Sequence, residues 1–218
     1  MYKSIAIDGP AGAGKSSISK LLAKKINFHY LDTGAMYRAC TYFYLSNNID
    51  INDEEMINKN IDKIKLTIEN GIFFLNGKDI TKEIRSDDVT KNVSLISSYK
   101  KIRENLVEMQ RNIAKQNNII LDGRDIGSHV LKNASIKFYL TADAEVRARR
   151  RLNDDAVSSD LTFEEILEDI KRRDYFDSHR EITPLVKAED AILIDSSNLS
   201  IEEVIDLMIK YLEKNNVI

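Results

Sequence analysis

The 218-residue chain carries one cysteine, two prolines and a net charge of −3, and each scarcity removes a class of protein. Cys40 alone cannot build a disulfide framework or a cysteine-based metal centre, and it reads as a small buried apolar residue. Pro10 and Pro184 leave no proline-rich linker to divide the chain. No apolar run approaches the roughly 20 residues that span a bilayer. The slightly acidic balance argues against general nucleic-acid binding, which needs a strongly basic surface. The first strand follows Met1 almost at once, which leaves no room for a signal peptide, so a cytoplasmic protein is expected. His29, His129 and His179 show no metal-ligand spacing, and there is no internal repeat. An apolar fraction of 43% still supports a proper core, for one α/β domain with insertions or at most two small domains.

What is present starts at residue 9. Gly9-Pro10-Ala11-Gly12-Ala13-Gly14-Lys15-Ser16 matches G-x-x-x-x-G-K-[ST] in full. Its glycines let backbone N–H groups converge on a phosphate. Lys15 reaches the β- and γ-phosphates, and the Ser16 hydroxyl is the expected magnesium ligand. The run Ser4–Asp8 before the loop reads as a buried strand. Ser17, Ile18, Leu21 and Leu22 open a helix whose positive end faces the same anion. Strand, loop and helix in that order predict an ATP site spanning Gly9 to Ser17.

Strand and helix patterns then alternate, implying a parallel sheet with ligands at the strands' carboxyl ends. Asp32-Thr33-Gly34, Asp122-Gly123-Arg124-Asp125 and Asp195-Ser196-Ser197 fall at such ends. Between residues 65 and 80 the alternation breaks. Asn70-Gly71 sits between two apolar runs and Asn76-Gly77 follows, predicting a small antiparallel insertion. Residues 153–160 are polar and unpatterned, and read as a loop. Thr162 with Glu165, and Ser200 with Glu203, predict capping boxes.

A phosphate loop alone does not separate kinases, ATPases and switch GTPases. None of the eight glycines has an aspartate three residues before it, and Asn58-Lys59-Asn60 continues to Ile61, so both switch-GTPase motifs are missing. Transfer to an acceptor is favoured. Arg173, Asp177 and Arg180 are spaced to share one helix face, read either as a solvated ion-pair stripe or as an acceptor site.

The chain resembles the bacterial cytidylate kinases of the nucleoside-monophosphate kinase group essentially end to end. The resemblance is carried by the loop, Leu31–Arg38, Asp122–Gly127, Arg147–Arg150, Arg173–Arg180 and Pro184-Leu185. It implies a P-loop NTPase core with a parallel sheet flanked by helices (about 1–34, 99–150 and 180–218). An inserted acceptor-binding subdomain with a small antiparallel sheet would span about 35–98, and a short lid about 151–175. The implied reaction passes a phosphoryl group from ATP, with Mg²⁺, to CMP or dCMP. Arg38, Arg124 and Arg173 would hold the acceptor phosphate, and Asp177 and Arg180 the sugar. Ser94, Arg103 and Asp125 would read the base, with Thr33 and Tyr37 beside phosphate and base. Lys15, Arg124, Arg150 and Arg173 would serve catalysis. Arg147 and Arg150 match the family's lid pattern, while Arg149 could stack on adenine. Asp8 and Asp122 both remain open as carboxylates behind the metal. A monomer is implied. A kinase for UMP, AMP or shikimate, or an ATPase or nucleotide-sensing module without transfer, stays as the alternative.

Overall fold

The computed structural model describes residues 2–69, 71–153 and 161–218. Asn70 of the expected Asn70-Gly71 turn, and residues 154–160 of the expected 153–160 loop, lie outside these. In chain order the strands are β1 (Ser4–Asp8), β2 (His29–Asp32), β3 (Leu66–Glu69), β4 (Ile72–Leu75), β5 (Lys78–Asp79), β6 (Ile119–Gly123), β7 (Ile136–Thr141) and β8 (Ile192–Asp195). The helices are α1 (Lys15–Lys25), α2 (Thr33–Ser46), α3 (Glu54–Asn60), α4 (Asp87–Ile96), α5 (Lys100–Ala114), α6 (Ala144–Leu152), α7 (Phe163–His179) and α8 (Ile201–Lys214). They form two compact units: Met1–Asp32 with Arg111–Ile218, and Thr33–Gln110. The insertion expected at 35–98 lies inside the second.

The first unit is built on a parallel sheet of order β2-β6-β1-β7-β8. Its inner strands are covered on both faces, so β1 and β6 read as near-continuous apolar runs instead of alternating. The edge strand β8 alternates, with Leu193 exposed and Ile194 buried. Ile5, Ile7, Phe138 and Leu140 from the sheet pack with Leu22 of α1 and with Met208 and Leu212 of α8. Truncating a fully buried residue such as Leu212 to alanine costs about 2–5 kcal/mol. Because β1 is central, the loop that leaves it emerges between the carboxyl ends of β6 and β7. Both capping boxes form, Thr162 with Glu165 on α7 and Ser200 with Glu203 on α8. The apolar seam between α6 and α7 is Ala148, Ile166 and Ile170.

The second unit holds the antiparallel sheet β3-β4-β5 and helices α2 to α4 with most of α5. Asp53 caps α3 through the Met56 N–H, and the buried Tyr44 hydroxyl donates to Ile57 O. Helix α4 is not foreseen above, although Val89, Val93 and Ile96 bury one face at helical spacing. The short wide turn Ile126–Val130 is also new. Among the described residues no helix is long and apolar enough to cross a membrane.

Candidate active site

The phosphate loop is held by its neighbours before any ligand is considered. A Cβ at Gly9 would lie 1.9 Å from the Leu140 carbonyl oxygen of β7, so only glycine fits there. Gly14 opens α1 with a left-handed backbone and no side-chain cap, and no acidic residue stands in the first helical turn. The positive helix end is therefore left for an external anion. Lys15 is buried and folds back, its Nζ donating to Pro10 O at 2.7 Å. Burial and the nearby Arg124 pull its pKa down to about 7, against the opposing pull of Asp122, Asp8 and Asp177. Ser17 is exposed on the first turn of α1.

Two carboxylates at strand ends lie beside this loop and do different work. Asp122, at the end of β6, accepts from Ser16 Oγ at 2.7 Å and from the Tyr30 hydroxyl at 3.1 Å. Burial and repulsion from Asp32, its partner across the sheet, push its pKa up to about 6. Asp8, at the end of β1, spends both oxygens on backbone N–H groups, those of Ile126 and Gly127, each at 2.7 Å. It thereby satisfies the free donors that open the 126–130 turn. Burial still outweighs those bonds and raises its pKa to about 6.

Of the face predicted from spacing, Arg173 and Asp177 lie on α7 while Arg180 is its C-cap with an extended backbone, and the three are buried in part and engaged with the segment after β6. Arg124 Nε donates to Asp177 Oδ2 at 2.8 Å; burial, the largest single influence, lowers the Arg124 pKa, but Asp177 with Asp174 and Asp122 raises it on balance. Arg180 Nη2 lies 3.4 Å from Asp125 Oδ1, and its Nε donates to Thr183 O at 2.8 Å. Thr183 holds a left-handed backbone (φ 46°), strained for a β-branched residue, and so aims that carbonyl back at the helix. Arg173 is different. Its buried Nε has no hydrogen-bond partner, and burial with repulsion from Arg124 and Arg151 lowers its pKa to about 10.

The remaining predicted residues are distributed as follows. In the second unit, the Arg103 guanidinium sits 5.5 Å from the Tyr37 ring centre, and its Nη1 donates to Ser97 O at 3.0 Å. Thr33 and Tyr37 are buried, Arg38 and Ser94 half-buried, and the Ser94 carbonyl accepts from Ser97 Oγ. In the first unit, Arg150 donates to the Ser196 carbonyl and hydroxyl beyond β8. Arg149 lies over the Phe163 ring at 5.9 Å. Arg147 is buried against the loop itself. Sequence reasoning did not single out Tyr30 or Asp174. Tyr30 was legible in principle, since it shares a face of β2 with Asp32, two residues on.

A parallel sheet with a phosphate loop on its central strand, and buried arginines at the strand ends, narrows the chain to phosphoryl chemistry. Residues 5–214 match the family model for cytidylate kinase. The chain belongs to the cytidylate kinase family. It is 49% identical over 211 residues to the cytidylate kinase of Fusobacterium nucleatum subsp. nucleatum, covering 96% of this chain and 97% of that one. It is 46% identical over 213 residues to that of Clostridium botulinum strain Langeland, covering 97% and 98%. Among solved structures, shikimate kinase from Bacteroides thetaiotaomicron aligns with a TM-score of 0.51 at 12% identity, over 97% of this chain and 98% of that one, which shows a shared fold. Membership of the cytidylate kinase family carries phosphoryl transfer from ATP to CMP, and the other acceptors and the transfer-free module are not favoured.

Proposed function

We propose that this chain phosphorylates CMP and dCMP with magnesium and ATP, as a monomer, using the residues below. The observation that carries the reading is buried positive charge that is incompletely paired. Lys15 and Arg173 are both pulled below their usual pKa by burial and by Arg124, and Arg173 Nε is buried without a partner. The neighbouring carboxylates do not fully pair these cations, and two phosphates brought together for transfer complete the pairing.

The backbone N–H groups of residues 9–17 and the Lys15 ammonium bind the β- and γ-phosphates of ATP. Lys15 exchanges the Pro10 carbonyl for phosphate oxygens when it does so. Arg124, Arg173 and Arg38 grip the acceptor phosphate, whose ionised oxygen is already nucleophilic and needs no general base. The pairing with Asp177 and the Nη1 contact with Gly123 O orient the Arg124 fork, leaving Nη2 for the acceptor. Arg150 joins the transferring phosphoryl only by leaving Ser196. Asp177 and Arg180 hold the sugar. Asp125 accepts the exocyclic amine of cytosine, with Arg103 and Ser94 on the rest of the base. Uracil places a carbonyl where that amine stands, leaving a buried carboxylate facing lone pairs. In this reading the acceptor-binding insertion is about residues 35–98, within the second unit, and the lid about residues 151–175.

Hard oxygen donors suit magnesium, and Ser16 Oγ bonded to Asp122 is such a pair. The crowding of Asp122 by Asp32 favours a cation there. Asp8 ranks behind Asp122 because both its oxygens are committed to backbone N–H groups. When bound with ATP, magnesium neutralises charge between the β- and γ-phosphates. Among the described residues no group of three or more His, Cys, Asp or Glu side chains could hold a metal ion.

A coupled ADP-release assay across CMP, dCMP, UMP, AMP, GMP and shikimate tests the reading. Turnover with CMP and dCMP should exceed the rest, and equal turnover with another acceptor refutes it.

A further inference from the structure

Ala11, the third residue of the phosphate loop, has both backbone polar groups taken by one ion pair. Its N–H donates to Asp174 Oδ1 at 3.1 Å, and its carbonyl accepts from Arg147 Nη1 at 2.7 Å. The same Nη1 lies 2.7 Å from Asp174 Oδ2. Arg147 Nε donates to Ala142 O at 2.8 Å, just beyond β7. The pair thus treats Ala11 as a neighbouring strand would, with one donor and one acceptor, but the contacts are charge-assisted and stronger. Gly12 adds an independent steric observation. A Cβ there would meet Arg147 Cβ at 3.2 Å and Ile170 Cδ1 at 3.6 Å, so α6 and α7 close directly on the loop backbone.

We propose that Arg147 and Asp174 act together as positioning residues that set the phosphate loop for ATP before ATP arrives. The inference rests on the ATP-site reading above and deepens it. Arg147 carries the motif that would place it on the transferring phosphoryl, yet Nε and Nη1 of its fork are committed to two carbonyls and a carboxylate. The peptide planes on either side of Ala11 fix the direction in which the N–H groups of Gly12 to Ser16 converge. A phosphate loop gains affinity from that convergence being present in the free protein. Pairing with Arg147 also neutralises Asp174, a carboxylate that would otherwise repel the phosphates it helps to seat.

Equilibrium binding of Mg-ATP and, separately, of CMP tests this by calorimetry on the full chain, with thermal stability recorded for every variant. Asp174→Asn and Arg147→Met should each weaken ATP binding about tenfold, the loss expected for one buried charge-assisted contact. CMP affinity should stay within about threefold, and Asp174→Glu should fall between the wild type and Asp174→Asn. The double variant should be no weaker than about twice the worse single, because the two side chains act as one unit. Additive losses near a hundredfold would overturn the proposal, as would parallel loss of ATP and CMP affinity, or unchanged ATP affinity in Asp174→Asn. Should Arg147→Met fail to fold, the two Asp174 variants decide it alone. Absence of ATP binding by the wild type would instead refute the site reading itself.

Discussion

Lys15 should take up a proton when ATP binds at alkaline pH. In the free protein, burial and Arg124 hold its pKa at about 7 against an ordinary value of 10.5. Triphosphate oxygens replace the Pro10 carbonyl as its partner, and their charge restores the ammonium's usual preference. At pH 8 a group of pKa 7 is about one-tenth charged, so binding should draw in about 0.9 proton, falling to about 0.1 at pH 6. The sign follows from the same linkage. Binding that takes up a proton weakens as pH rises, so the apparent Kd for ATP should be about tenfold weaker at pH 8 than at pH 6, or about 1.4 kcal/mol. Asp8 and Asp122, near 6, are already ionised at pH 8 and leave the proton count there to Lys15, but at pH 6 they are half-protonated, so the pH 8 count and not the Kd ratio decides the matter. Calorimetric titration of Mg-ATP in buffers of different ionisation enthalpy gives the proton count as a slope, and Lys15→Met removes the responsible group. A flat buffer dependence at pH 8 refutes the reasoning, because Lys15 would then be charged in the free protein.

Other expectations concern specificity and the fold. Asp125→Ala should cut the CMP-over-UMP preference by about 10–100-fold in kcat/KM ratios, and an unchanged ratio removes this account of base reading. Gly9→Ala forces a methyl group into the Leu140 carbonyl and should lose several kcal/mol, read as a large drop in Tm or in folded yield. Asp8→Asn should alter how stability depends on pH. The folded pKa of Asp8 is raised, so its contribution is fully present below 3.8 and lost as pH rises through about 6. On lowering the pH from 7 to 4, the wild type should therefore gain up to about 3 kcal/mol relative to Asp8→Asn, and parallel stability curves would count against this.

Local chemistry was most legible where one short segment does one job. The loop from Gly9 to Ser16, the two capping boxes and the apolar strands of the sheet each announce themselves within about eight residues. The pairing of Arg124 with Asp177, and of Arg180 with Asp125, could not be read that way, since 53 and 55 residues separate the partners. Spacing placed residues 173, 177 and 180 on one face but left open whether that face meets solvent. Asp8 shows the reverse difficulty. A carboxylate beside a phosphate loop suggests a metal ligand, yet its oxygens cap a helical turn 118 residues away. Helix α4 was passed over because its polar first turn follows a charged segment, although its buried positions keep helical period.

The central place of β1 also bears on how the protein is made. Ser4 pairs with Ile119, and Ile5 with Ile136, so β1 leaves the ribosome more than a hundred residues ahead of either of its sheet neighbours. At about 5–20 residues per second, the 115 residues between Ser4 and Ile119 correspond to a wait of about 6–23 s. Throughout that interval Ile5 and Ile7 stand without the sheet that will bury them. Of the strands in that sheet, the one that anchors the phosphate loop in the finished enzyme is thus the one that waits longest for a neighbour.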